Sequence, residues 1–483
     1  MKKFILFFAA ICMAAGCVNE THSEKPELRF REDGTFKILQ VTDLHWDESE
    51  EGNPEKISKL LTQLVEAENP DLVVATGDVI TDRHAMKGWE NLATLLADLD
   101  VPYAITMGNH DPEAMDRDSI FDFLATQPLS LAEKGPKEVS GVGNYILEVK
   151  SSDGSDKTNA LLYCFDSGDY TTDHDRYGYY GWFEQDQIEW YKQQSQKFTA
   201  ANGGEPLPAL SFFHIALPEY NYIADYERFG EWHEKICSPE LNTGMFVAMK
   251  QMGDIMGVFV GHDHSNDFIG KYWEIALAYG RRTQSDYDEI DNGGRIIILK
   301  EGQRSFETYS VTPDKKEYTY YYPEGFPSND YEPLRPAKNV NPTKNGVSYT
   351  YYEGTFNNTD EMLANGKVAG KGTMEYLTVD KAPLKDFYGY EFNSYIYIPE
   401  DGYYRFFLDS DDGSKMFLDG ELFINLDVRS VRQRTGANIG LAKGFHELKV
   451  LYYENYSGQS LNIDIASMKM PWQKLPADML YVK

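Results

Sequence analysis

Five short polar motifs carry the residues that can do chemistry: Asp43-Leu44-His45, Gly77-Asp78, Gly108-Asn109-His110-Asp111, Phe213-His214 and Gly261-His262-Asp263-His264. Taken singly each is weak, because a histidine after an apolar run is more often structural than a ligand. Together they offer carboxylate, amide and imidazole donors and no cysteine, a set that suits Fe, Mn or Zn. A two-metal hydrolytic centre needs one carboxylate to bridge the ions and further oxygen and nitrogen ligands that leave positions open for water and substrate. The inventory is sufficient for that task. Gly77, Gly108 and Gly261 beside these residues let the backbone turn sharply and approach closely.

The elements that must position the motifs follow from hydrophobic periodicity. Phe36 to Thr42, Asp71 to Thr76, Tyr103 to Met107, Pro208 to Phe213 and Ile255 to Val260 read as strands, each running into one of the polar loops. Pro54 to Glu68, with Ile57, Leu60, Leu61, Leu64 and Val65 on one face, reads as a helix, as do Trp89 to Leu99 and Glu184 to Phe198. Strands alternating with helices predict an α/β sandwich, whose sites form at the carboxyl ends of strands.

In this order the motifs resemble those of the calcineurin-like metallophosphoesterase superfamily, over about residues 36 to 300. Thr76-Gly77-Asp78, Met107 to Asp111, Cys164 to Gly168, Tyr180-Gly181-Trp182, Phe212 to Tyr220 and Val260 to Phe268 further resemble its purple-acid-phosphatase-like branch. The resemblance implies that Asp43, His45 and His264 hold one metal, that Asn109, His214 and His262 hold the other, and that Asp78 bridges them. It places His110 near the leaving group, with Asn109 and His110 acting on the reacting phosphate and with water activated at the two metals as the nucleophile. One departure stands out. Purple acid phosphatases carry a tyrosine three residues after the bridging aspartate, the source of their colour, and here that position is Thr81. Asp82 and Arg83 follow closely enough to support the ligands, with Asp82 a candidate to orient His110; a solvated Asp-Arg pair on a loop is the equal alternative.

The chain has 483 residues, enough for two domains, and a formal net charge of −31, which argues against nucleic acid as a partner. Its first residues, Lys2 and Lys3, the apolar run Phe4 to Met13 and then Ala14-Ala15-Gly16-Cys17, resemble a bacterial lipoprotein signal. That implies lipid on Cys17, a tether over 18 to 34 and a protein anchored to the cell envelope, at the periplasmic face or the cell surface. Cys164 and Cys237 either pair or stay as thiols, and the apolar run Ala160 to Phe165 favours a buried thiol.

The phosphoesterase domain is expected over 35 to 312. From 313 to 344, prolines at 313, 323, 327, 333, 336 and 342 interrupt a Tyr-rich stretch that reads as a linker. Beyond it come short alternating aromatic segments separated by glycine turns, which predict an all-β sandwich or barrel. Gly402-Tyr403-Tyr404, Ser410-Asp411-Asp412-Gly413-Ser414, Leu418-Asp419-Gly420 and Gly440 through Tyr453 resemble the protective-antigen-type (PA14-like) β-domain, over most of 345 to 483. This implies a glycan ligand, with Asp411 and Asp412 as candidates for calcium, although Asp-Asp-Gly is equally common turn chemistry.

The function expected from these residues is hydrolysis of phosphate esters, foremost monoesters. A phosphodiesterase or nucleotidase would use the same ligands. A non-catalytic glycan-binding lipoprotein on the same scaffold is a third reading, and the complete ligand set speaks against it.

Overall fold

The computed structural model describes residues 25–226, 228–284, 290–328, 334–427 and 432–483. Cys17, the signal segment and the start of the tether lie outside the described residues.

Two sheets face one another in the first domain. One is seven-stranded, in the order Phe326–Pro327, Lys316–Tyr322, Phe306–Val311, Gly294–Lys300, Thr35–Val41, Leu72–Thr76, Tyr103–Thr106. The other is eight-stranded and carries Thr158–Cys164, Ala209–Phe212, Ile255–Val260 and Ile275–Tyr279 side by side and parallel at its centre. Alternation along these strands fills two layers. Leu162 and Cys164 enter the core between the sheets with Ile38, Val74 and Ile105, while Leu161 and Tyr163 face an outer core with Ile188 and Tyr191 of the helix Gln185–Ala201. On the other flank the helix Asn53–Glu68 buries Ile57, Leu61, Leu64 and Val65. The result is an α/β sandwich in which the carboxyl ends of parallel strands from both sheets meet at one edge.

The second unit is all-β, and its ladders are antiparallel. One sheet is built on Tyr388–Ile398 and Gly444–Glu454, a smaller one on Gly402–Asp411 flanked by Gln433–Leu441 and Ser460–Ser467, and Phe392, Phe406, Val450 and Ile463 fill the core between them.

Two expectations need correction. The stretch 313 to 344 is not all linker, because Lys316–Tyr322 pairs with Phe306–Val311 and extends the seven-stranded sheet. Tyr318, Tyr320 and Tyr322 alternate into the core of the first domain, and the prolines at 313 and 323 only bound this strand. Past it, Arg335 and Lys338 already hydrogen-bond through their backbone amides to Gly440 and Phe445 of the second unit. The tether reading fails likewise over its last residues: Leu28–Arg29 pairs with Tyr145–Lys150, and Leu28 and Phe30 are buried. Cys164 and Cys237 are free thiols.

Candidate metal centre

The polar loops converge where the two sheets meet. Two clusters of ligand atoms form there: Asp43, His45, Asp78 and His264 in one, and Asp78, His214 and His262 in the other, with all ligand atoms of each cluster within 4.8 Å of one another. Asp78 belongs to both.

Local backbone geometry explains why these residue types sit at these places. Asp43, His45, Asp78 and His262 all have positive φ, between 45° and 78°. Each such residue costs on the order of 1–3 kcal/mol, and strain of this kind gathers where a site requires it. The adjacent glycines are required by close approach. A Cβ on Gly77 would strike the His214 ring, one on Gly108 the Asp78 carboxylate, and one on Gly261 the Thr42 hydroxyl.

Hydrogen bonds then fix each side chain. His214 Nδ1 donates to the Thr76 carbonyl at 2.7 Å, joining the two sheets and turning Nε2 toward Asp78. Asp43 accepts from the Thr42 hydroxyl at 2.8 Å and from the His262 amide, and Asp78 accepts from the His110 amide at 2.8 Å. The buried Asp111 carboxylate accepts from the amides of Val79, Ile80 and Gly108, which ties the loop carrying Asp78 to the loop carrying Asn109.

The electrostatics couple the carboxylates to the imidazoles around them: burial opposes charge on His214, yet Asp78 raises its pKa to about 10. Burial opposes ionisation of both carboxylates, yet Asp78 is held ionised by the His214 imidazole and Asp43 by the hydrogen bond and charge of His264. Burial, with His214 adding to it, brings His262 down to about 3, and burial also lowers His45, so both rings present lone pairs. Asn109 Oδ1, His214 Nε2 and His262 Nε2 are all buried and none has a hydrogen-bond partner. His214 Nε2 does lie 3.1 Å from Asp78 Oδ2, close enough for an ion pair though not aligned as a hydrogen bond. Asn109 Oδ1 and His262 Nε2, both buried and unpartnered, and His214 Nε2 paired only with the shared carboxylate are a donor set that fits a metal ion.

His110 stands apart from both clusters. Its side chain is 37% exposed, its ring meets that of His45 at 5.8 Å, and its Nδ1 pairs with Glu113 Oε1 at 2.8 Å. The expected orienting role of Asp82 is not found: its buried carboxylate lies 3.3 Å from His84 Nδ1, and His110 Nδ1 is held by Glu113 instead. Glu113, three residues after His110, was the available signal. Two further residues were missed. Tyr170 accepts a hydrogen bond from Asn109 Nδ2 at 2.8 Å, and Tyr180 sets its ring at right angles to that of His262, 4.5 Å away.

Asp411 and Asp412 lie where Gly402–Asp411 turns into Gly413–Leu418, and Asp412 Oδ2 accepts from the Asn455 amide at 2.8 Å. Among the described residues they gather no third carboxylate or imidazole into a ligand cluster.

Comparison with known proteins returns two families. A family profile described as Calcineurin-like phosphoesterase matches residues 36–266, and one described as PA14 domain matches residues 343–478. The chain is 30% identical over 325 residues to "Probable inactive purple acid phosphatase 14" of Arabidopsis thaliana, which covers 60% of this chain and 81% of that relative. It is also 30% identical over 293 residues to "Phosphatase DCR2" of Saccharomyces cerevisiae, covering 52% of this chain and 49% of that protein. A solved dimetal phosphatase from Danio rerio aligns with a TM-score of 0.43 at 13% identity, over 59% of this chain and 98% of that one.

Proposed function

Since the chain belongs to the calcineurin-like phosphoesterase family and ends in a PA14 domain, we propose that it is a two-metal phosphatase acting on phosphate monoesters. The observation that carries this reading is the shared carboxylate of Asp78, clustered with His214 and His262 on one side and with Asp43, His45 and His264 on the other, together with the buried, unpartnered Asn109 Oδ1 and His262 Nε2. "Inactive" stands in the names of three of the relatives that the chain matches and describes those proteins; here both clusters bring together the carboxylates and imidazoles assigned to them.

In this reading Asp43, His45 and His264 hold one ion, Asn109, His214 and His262 the other, and Asp78 both, the ions being Fe, Mn or Zn. Two bound cations would polarise the phosphoryl oxygens and lower the pKa of a water poised for attack. The protein's own groups do the rest. His110, steadied through Nδ1 by Glu113, turns Nε2 toward the leaving oxygen and protonates it. Asn109, through Tyr170, and the His45 ring both border His110, which keeps that imidazole beside the ligands.

The C-terminal domain, in the same proposal, holds the enzyme near a glycan, with Asp411 and Asp412 as calcium candidates, and Cys17 anchors the chain by lipid to the cell envelope. The test is direct: purified protein is analysed for metal and assayed on a panel of phosphate monoesters, diesters and nucleotides. Two metals per chain and turnover of monoesters support the reading. Faster turnover of diesters would shift the assignment to a phosphodiesterase, and protein that neither binds metal nor turns over any ester would overturn it.

A further inference from the structure

We propose that Tyr170 is a positioning residue for the Asn109 half of the centre, an inference that rests on the two-metal reading above. Its hydroxyl oxygen accepts from Asn109 Nδ2 at 2.8 Å and lies 3.5 Å from His110 Nε2. An asparagine amide has one donor end and one acceptor end. With Nδ2 committed to Tyr170, the acceptor Oδ1 is the atom left buried and unpartnered, which is the end a cation requires. Without that hydroxyl the amide could turn over and offer its NH₂ group, which cannot ligate. Because the tyrosine oxygen is accepting, its own proton points elsewhere, and His110 Nε2 lies near enough for the two groups to approach the leaving oxygen together.

The surrounding chain is built to hold this hydroxyl. Residues 169 to 181 fold back on themselves: Gly181 N donates to Asp169 O at 2.7 Å, Thr171 N to Tyr179 O at 2.9 Å, and Tyr170 bridges Tyr180 with their rings stacked at 6.0 Å. Arg117 clamps the base of this hairpin through Asp169 at 2.9 Å. One hairpin therefore touches two of the three ligands of the same half, Asn109 through Tyr170 and His262 through Tyr180. The Tyr170 ring is only partly buried, so packing alone does not account for it.

The test uses the full chain and Tyr170→Phe, which keeps the ring and removes the hydroxyl. Calorimetric titration of metal-free protein with Mn²⁺ alone should show two sites in the wild type. In Tyr170→Phe one site should weaken by roughly 10–100-fold, the usual cost of losing a partner that orients a ligand, while the other stays unchanged. At saturating metal kcat should fall more than KM rises. In an Asn109→Asp background, which has no amide donor, Tyr170→Phe should add little to the loss of metal affinity. Unchanged affinity and kcat in Tyr170→Phe overturn the inference and leave the phosphatase reading standing. Equal weakening of both sites, or a full additional loss in the Asn109→Asp background, also overturns it, since that is general loss of packing. A wild type that binds no Mn²⁺ and hydrolyses nothing overturns the reading beneath it.

Discussion

The Nε2 atoms of His45 and His264 stand 3.0 Å apart, and Asp43 Oδ1 lies 3.4 Å from the second of them. Two imidazole nitrogens come this close by sharing a proton or a cation. Burial and the neighbouring Asp78 oppose the charge on Asp43, which His264 holds ionised, so bound cations that add to that support should stabilise the fold as well as the chemistry. Chelation should lower the melting temperature and Mn²⁺ or Zn²⁺ should restore it, by about 2.7 kcal/mol at a hundredfold excess over Kd. Asp78→Asn should abolish most of this response and reduce the rate by more than the roughly 10–100-fold that follows loss of an outer partner. A melting curve indifferent to chelator, with full metal content in Asp78→Asn, would falsify the assignment of the centre.

The purified protein should be colourless in the visible range even when loaded with iron. Thr81 occupies the position from which a phenolate would reach the metal, and the described tyrosines at the site are otherwise engaged. Tyr170 holds Asn109 through its hydroxyl, and Tyr180 presents its ring to His262. A strong absorption band in the visible spectrum of the iron-loaded protein would show that a tyrosine is a ligand after all.

What was legible in the sequence was local. Asp43, His45, Asp78, Asn109, His214, His262 and His264 each end a strand whose apolar run is plain, and the structure draws them together because parallel strands bring their carboxyl ends to one edge. Glu113 was within reach of the i,i+3 spacing from His110, but Tyr170 was not legible, since its partner is chosen by how a hairpin folds back. Asp82 misled for the same reason: nearness in sequence to the bridging residue did not translate into reach. Lys367–Met374 shows the limit of periodicity itself, because this mostly exposed edge strand carries little apolar alternation.

Cys17→Ser should move the protein from the membrane fraction to the soluble fraction without changing its turnover, because a thiol that carries lipid is the anchor and takes no part in the site. Fractionation followed by assay of both pools decides it. Retention of the variant in washed membranes would point to another anchor.

Glu454 gives the C-terminal domain a pH dependence of its own. Burial pushes its carboxyl up to about 8, with repulsion from Asp412 and Asp411 adding to the effect against a hydrogen bond from Tyr452. The ordinary value is 4.5, so between about 4.5 and 8 the folded state binds more protons than the unfolded state. Stability should therefore fall as pH rises through that interval and level off above it. Melting curves across the range should show this slope, and Glu454→Gln should flatten it. If Asp411 and Asp412 hold calcium, adding the ion should make the wild-type slope shallower by removing their repulsion; an identical slope with and without calcium would argue that the pair is only a turn.

The last expectation separates a ligand from a neighbour that acts on the substrate. His262 has a buried, unpartnered Nε2 inside a ligand cluster, whereas His110 has a side chain 37% exposed, belongs to neither cluster and is steadied by Glu113. His262→Ala should therefore lose metal, and His110→Ala should keep both metals yet lose roughly 10²–10⁴ in rate, the span of general acid catalysis. Glu113→Gln should produce a smaller defect of the same kind, because it weakens the contact that orients the His110 ring. The substrate supplies the control. An alkyl phosphate leaves as an alkoxide that needs a proton, while a nitrophenyl phosphate leaves as a phenolate that is already stable, so the His110 defect should be much larger on the first. Metal content and rates for these variants on both substrates decide the matter. Equal metal loss in His110→Ala and His262→Ala would make His110 a ligand, and equal defects on the two substrates would reduce its role to fixed electrostatics.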